Sequence, residues 1–192
     1  MTKFGPVTVD DVLDLETSGR SQTEIAATLV DWAERTEEEG PDGYSPASLL
    51  ITAAEHLDMA GVDGADELLD RAEHAAGHDQ TDVFVARIEH ALTHGDLETA
   101  LAIEKAARRN PTRHYHSYER VADALDTHDQ HQLAERWTNI GLRRLESNPE
   151  ADLELDHLLI VRYRIRRRRG AKPDGYDEEA ELIIAEAQDS DG

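Results

Sequence analysis

The sequence predicts an all-α fold, a solenoid of about ten antiparallel helices, and three observations carry that expectation. A submotif of small, apolar and small residues at positions i, i+3 and i+7 recurs five times. It reads Ala26/Leu29/Ala33, Ala65/Leu68/Ala72, Ala100/Ile103/Ala107, Ala134/Trp137/Gly141 and Ala180/Ile183/Ala187. The central copies follow one another at the period of stacked helix-turn-helix repeats, in which small side chains let neighbouring helices approach closely. Second, alanine and leucine dominate the apolar residues while aromatics make up only 5%, which suits helices packed through small and aliphatic groups better than a β-sandwich. Third, helix start and stop signals are frequent.

Taken in order, the elements read as five helix pairs: 8–17 with 21–38, 46–60 with 64–77, 81–94 with 96–109, 112–127 with 130–146, and 151–169 with 176–188. Ser21 and Glu24 have capping-box spacing, and Ser45-Pro46 supplies an N-cap followed by a first-turn proline. Asn110-Pro111 and Asn148-Pro149 end one helix and permit the next, and Gly40, Gly61, Gly95, Gly170 and Gly175 fall between periodic segments. The polar stretch from Glu37 to Gly43 marks a hinge or cap boundary. We expect one solenoid domain over 1–192, with an N-terminal helical pair (1–40), central repeats (44–146) and a C-terminal pair (151–189).

Charge and composition exclude several function classes. The 42 acidic residues outweigh 20 basic ones, for a formal charge of −22, which repels nucleic-acid phosphate and anionic lipid unless basic residues are segregated. Lys3, Lys105 and Lys172 are the only lysines, a bias that a salt-rich cytoplasm or a GC-rich genome would each leave. With no cysteine, disulfides, thiol chemistry and cysteine-ligated metals are out. The N-terminus lacks a signal-peptide core and no stretch approaches about 20 apolar residues, so a soluble, cytoplasmic protein without membrane contact is expected.

Over 84–107 the chain resembles a tetratricopeptide repeat: Phe84 stands at the early aromatic position, Gly95-Asp96 at the turn, and Ala100 and Ala107 at small positions. The next repeat keeps Tyr118, Ala122, Leu125, Ala134 and Asn148-Pro149, while Ile88 and Glu104 replace a usual small residue and a usual aromatic. The resemblance implies a divergent, right-handed tetratricopeptide-like superhelix whose first helices line a concave groove. The segment 158–167, followed by Asp174-Gly175-Tyr176-Asp177, resembles the end of uncharacterised actinobacterial helical-repeat proteins. Some of those carry a cysteine-rich SEC-C metal motif, which is absent here, so no metal role carries over.

Four constellations bear on function. Arg113, His114, Tyr115, His116 and Tyr118 cluster at the start of a repeat's first helix; in the implied register His116, Glu119 and Asp123 face the groove while Tyr118, Ala122 and Leu125 pack inward. Arg162, Arg164, Arg166, Arg167, Arg168 and Arg169 end a long helix. They suit a carboxylate or phosphate ligand, or equally the helix dipole with Asp177, Glu178 and Glu179 as neutralising partners. His74/His78 and His90/His94 share the i, i+4 spacing of metal-binding pairs, but their positions near helix ends suit dipole capping as well. Residues 19–29 resemble the first helix of a DNA-binding helix-turn-helix, yet Leu29 runs on into 30–35 where that motif turns.

The sequence therefore predicts a non-enzymatic interaction module that binds a peptide or partner helix. Its candidate partner-binding residues are His116, Glu119, Asp123, Arg162, Arg166 and Arg169, with no cofactor and no assigned metal ligand. Nucleic-acid binding through the arginines, or a metal- or pH-responsive role for the histidines, are the alternatives. No phosphate-cradling glycine loop or nucleophile elbow argues for catalysis.

Overall fold

A computed structural model describes residues 6–36, 43–77, 83–109, 115–146 and 152–190. The described residues are almost entirely helical. They form α1 (Val9–Glu16), α2 (Gln22–Arg35), α3 (Pro46–Ala60), α4 (Ala65–Ala72), α5 (Val83–Thr93), α6 (Leu97–Ala107), α7 (Tyr115–Thr127), α8 (His131–Leu145), α9 (Asp152–Arg168) and α10 (Gly175–Ser190). Each expected helix is present, with ends shifted by a few residues. Asn110-Pro111, Asn148-Pro149 and the stretch 37–42 lie outside the described residues.

The caps explain the boundaries. Ser21 accepts the Glu24 amide at 3.3 Å while the Glu24 carboxylate accepts the Ser21 amide at 2.9 Å, so two otherwise orphaned donors are satisfied at the start of α2. Thr8 and Asp11 repeat the device on α1. Ser45 accepts the Ser48 amide at 3.0 Å ahead of Pro46, and α3 closes on Gly61 in the left-handed conformation (φ +64°). Unexpected from sequence, Val7–Thr8 (β1) pairs antiparallel with Gly43–Tyr44 (β2), Val7 opposite Tyr44. A ladder of two residues carries no alternation long enough to read.

The chain divides into two compact units, 1–106 and 107–192. In the first, α2 and α4 pack on α3, and α5 packs on α3 and α4. Helix α3 buries Ala47, Leu49, Leu50, Ile51, Ala53 and Ala54, as befits a helix covered on several sides. Gly77 sits against the start of this helix at φ +81°, and a Cβ there would overlap the Ser45 side chain. Ala47 meanwhile donates its amide to the Ala76 carbonyl at 3.1 Å. Glu104 is buried.

In the second unit α8 packs on α7 and α9, α7 also meets α9, and α10 packs on α9. Tyr118 and Trp137 meet with ring centroids 5.8 Å apart, and Val121, Leu125, Leu142, Leu158 and Ile165 are buried in the same unit. The small position of the fourth submotif has a direct cause here. A Cβ on Gly141 would lie 2.5 Å from Leu158 Cδ2 and 2.9 Å from Tyr118 Cγ. Other copies are less uniform: Ala26, Leu29, Ala65 and Ala72 are buried, whereas Ala187 is exposed.

Charge is divided unequally. Residues 1–106 hold 24 acidic and 6 basic side chains, a net −18, while 107–192 hold 18 and 14, a net −4.

Candidate functional site

Tyr118, Ala122 and Leu125 of α7 pack inward as expected. Val121 is buried as well, while His116 is exposed and Glu119 and Asp123 are partly exposed. Residues 116, 119 and 123 fall on one helical stripe by their i, i+3 and i+7 spacing. Asp123 pairs with Arg164 of α9, both side chains remaining over 40% exposed. Arg113 and His114 lie outside the described residues, as does the side chain of Tyr115.

Most arginines at the end of α9 pair with carboxylates of the same chain, and two of them are withdrawn from solvent. Arg162 is 4% exposed. It donates Nε to Asn139 Oδ1 at 2.7 Å and both Nη groups to Asp174, at 3.0 and 2.7 Å. Its Nη1 also reaches Asp177 at 3.2 Å, and Tyr176 lies under the guanidinium, 5.0 Å from ring centroid to Cζ. The planar fork is thus matched bidentately and stacked, a combination lysine cannot reproduce.

Arg166 continues the same network one turn later. Its Nε meets Asp177 Oδ2 at 2.9 Å, and its Nη groups reach Glu135 of α8 and the Lys172 carbonyl. Arg169 joins the other oxygen of Glu135, and Arg168 pairs with the buried Asp126 at the end of α7. Arg167 lies over the Tyr163 ring at 5.6 Å. The Arg162 hydrogen bonds hold the Asp174 carboxyl well below its ordinary 3.8, at about 2. Of the expected neutralising partners, Asp177 is in the network, whereas Glu178 and Glu179 are exposed. Asp174 and Glu135 take the places that sequence proximity suggested for them.

Three of the six candidate partner residues, Arg162, Arg166 and Arg169, therefore converge on one internal ion-pair network. The other three lie on α7. The structure places the arginines as ties among α8, α9, the α9–α10 turn and α10, with Arg162 and Arg166 largely withdrawn from solvent.

Histidines occupy further polar junctions. In the first unit, His90 Nδ1 lies 2.8 and 2.9 Å from the two carboxylate oxygens of Asp58 on α3, and its Nε2 lies 3.5 Å from Asp66 on α4. His94 stands one turn on, its ring centroid 4.3 Å from that of His90. His56, buried on α3, contacts Gln22 and, at 3.3 Å, Glu16. In the second unit, His131 Nδ1 meets Asp126 at 2.7 Å beside a shallow depression of about 340 Å³ lined by residues 129–133 and Arg169. His74 donates to the Asp70 carbonyl at 2.9 Å in the capping manner, and His78 lies outside the described residues.

Sequence spacing singled out His90 and His94 but missed Asp58, 32 residues earlier, because nothing local links them. His56 was missed too. Its one signal is a histidine set among the closely spaced apolar residues of α3.

No family model, curated protein or solved structure gives a significant match to this chain. Fold and site together define an all-helical protein of two compact units, the second tied by a buried arginine–carboxylate network. Among its described residues no helix is long and apolar enough to cross a membrane.

Proposed function

We propose that the chain is a non-enzymatic interaction module that receives a peptide or partner helix along α7, in the manner of a divergent tetratricopeptide-like solenoid. The carrying observation is the stripe His116, Glu119 and Asp123, the first exposed and the other two partly exposed, opposite a packed stripe on the same helix. A helix face held rigidly from behind presents polar groups without first having to order them, which lowers the entropy cost of binding. Two of the three residues are carboxylates, so a partner segment carrying arginine or lysine fits. The exposed Asp123–Arg164 pair is the natural point of exchange, because a surface pair costs little to open.

The arginine cluster is no longer part of this reading. Arg162, Arg164, Arg166, Arg168 and Arg169 are engaged by carboxylates of the same chain, which a phosphate ligand would have to displace. That also weakens the nucleic-acid alternative.

Affinity capture from the source organism's lysate at two salt concentrations, with nuclease treatment, tests the proposal. A wild-type bait and a His116→Ala/Glu119→Lys bait are compared. One stoichiometric protein that survives nuclease and is lost with the variant is expected. Identical recovery by both baits, or recovery that depends on nucleic acid, overturns the α7 assignment.

A further inference from the structure

We infer that Asp58, His90 and His94 form a binding site for a late first-row divalent cation of the zinc class, independently of any role of α7. The three side chains bring one carboxylate and two imidazoles together, with a set of donor atoms all within 4.8 Å of one another. Asp58 comes from α3, His90 from α5 packed against it, and His94 from the turn that directly follows α5, so the cluster is a product of the fold as well as of the i, i+4 spacing.

Its dimensions suit the ion. Donors about 2.0–2.2 Å from a tetrahedral zinc lie roughly 3.3–3.5 Å from one another. Asp58 Oδ1 stands 2.8 Å from His90 Nδ1 and 4.0 Å from His94 Nδ1, which brackets that span. The shorter separation is a hydrogen bond in which His90 donates to the carboxylate. An entering cation replaces that proton, and the pair opens by about half an ångström. The longer one closes when His94, whose side chain is 50% exposed, turns away from its 3.0 Å bond to the His90 carbonyl. His90 and Asp58 are largely buried and need no such rearrangement.

An outer partner is also in place. Imidazole ligands of metals generally pass their second ring N–H to a carboxylate or carbonyl, which fixes the ring and raises its basicity. With Nδ1 turned to the metal, His90 presents Nε2 to Asp66, 3.5 Å away at the start of α4. Three protein donors leave a fourth position for water on the exposed His94 side. The mixed nitrogen and oxygen set selects zinc, nickel, cobalt or copper over magnesium and calcium, which prefer oxygen donors throughout. The surroundings favour any cation, since this unit carries a net −18. A bound ion links α3 to α5, with α4 held through Asp66.

The test is isothermal titration of the full chain with zinc chloride, accompanied by the visible ligand-field absorption of cobalt(II) as a report on nitrogen ligation. Wild type is expected to take up one zinc per chain, and His94→Gln and Asp58→Asn are each expected to weaken it at least about tenfold. Asp66→Asn should weaken it less, and His157→Gln, in the other unit, not at all. Circular dichroism establishes that each variant is folded, and the exposed position of His94 makes His94→Gln the safest of them. Absence of zinc uptake by wild type overturns the inference, and so does uptake that folded His94→Gln and Asp58→Asn retain unchanged.

Discussion

Arg162 illustrates how burial changes what a charged side chain is for. Its guanidinium has given up water for two aspartates, an asparagine and a tyrosine face, so its removal leaves the largely buried Asp177 with fewer countercharges. Breaking such a pair from one side costs about 3–5 kcal/mol. Arg162→Met is expected to lower the unfolding free energy by about 3 kcal/mol in urea titration, whereas Arg167→Ala, on an exposed residue, should change it by less than about 1 kcal/mol. A comparable loss in both would mean that the network contributes little. Asp174 adds a pH signature. Its carboxyl is depressed from 3.8 to about 2 in the folded chain, so the folded state binds fewer protons than the unfolded one between those values. The stabilisation is whole above about pH 4 and drains as pH falls towards 2. The stability gap between wild type and Asp174→Asn should shrink over that window, and a gap constant from pH 5 to pH 2 would refute the assignment.

At the scale of elements, close approach and caps decide which helices meet and where they start. Gly141 admits Tyr118 and Leu158 against the α8 backbone, and overpacking of this kind costs typically 1–3 kcal/mol. Gly141→Ala should therefore destabilise by about that amount, although alanine is the better helix former by roughly 1 kcal/mol at a position without such contacts. A more stable Gly141→Ala, measured by chemical denaturation, would show the interhelical gap to be wider. Gly77→Ala meets both a left-handed backbone and the Ser45 side chain, and should be worse tolerated than Gly61→Ala, where a Cβ meets nothing. Ser45→Ala should cost about 1 kcal/mol through the lost cap.

These elements were also where the sequence could be read. Ser21 with Glu24, Ser45 with Pro46, and the inward set Tyr118, Ala122 and Leu125 announce themselves within one or two turns. Asp177 was legible as an arginine partner because it lies in the same hairpin. Glu135 and Asn139 approach α9 from α8, and Asp58 approaches His90 from α3. Those meetings depend on which helices pack together, and no local spacing encodes that. The α7 stripe was predicted on its helix, but the engagement of Asp123 by Arg164, 41 residues later, was not.

For the whole molecule the deciding quantity is the partition of charge. With 24 acidic and 6 basic residues before position 107, against 18 and 14 after it, self-repulsion falls chiefly on the first unit. Salt screens repulsion between exposed charges more than it weakens largely buried pairs such as Arg162–Asp177. Melting temperature should accordingly rise between about 0.05 and 1 M potassium chloride, where the Debye length shrinks to about 3 Å. A fall would mean that surface ion pairs outweigh the repulsion. The same partition has a preparative consequence. If the chain is cleaved near residue 107 and passed over an anion exchanger, the later fragment should emerge early, and the earlier fragment should be held until much higher ionic strength.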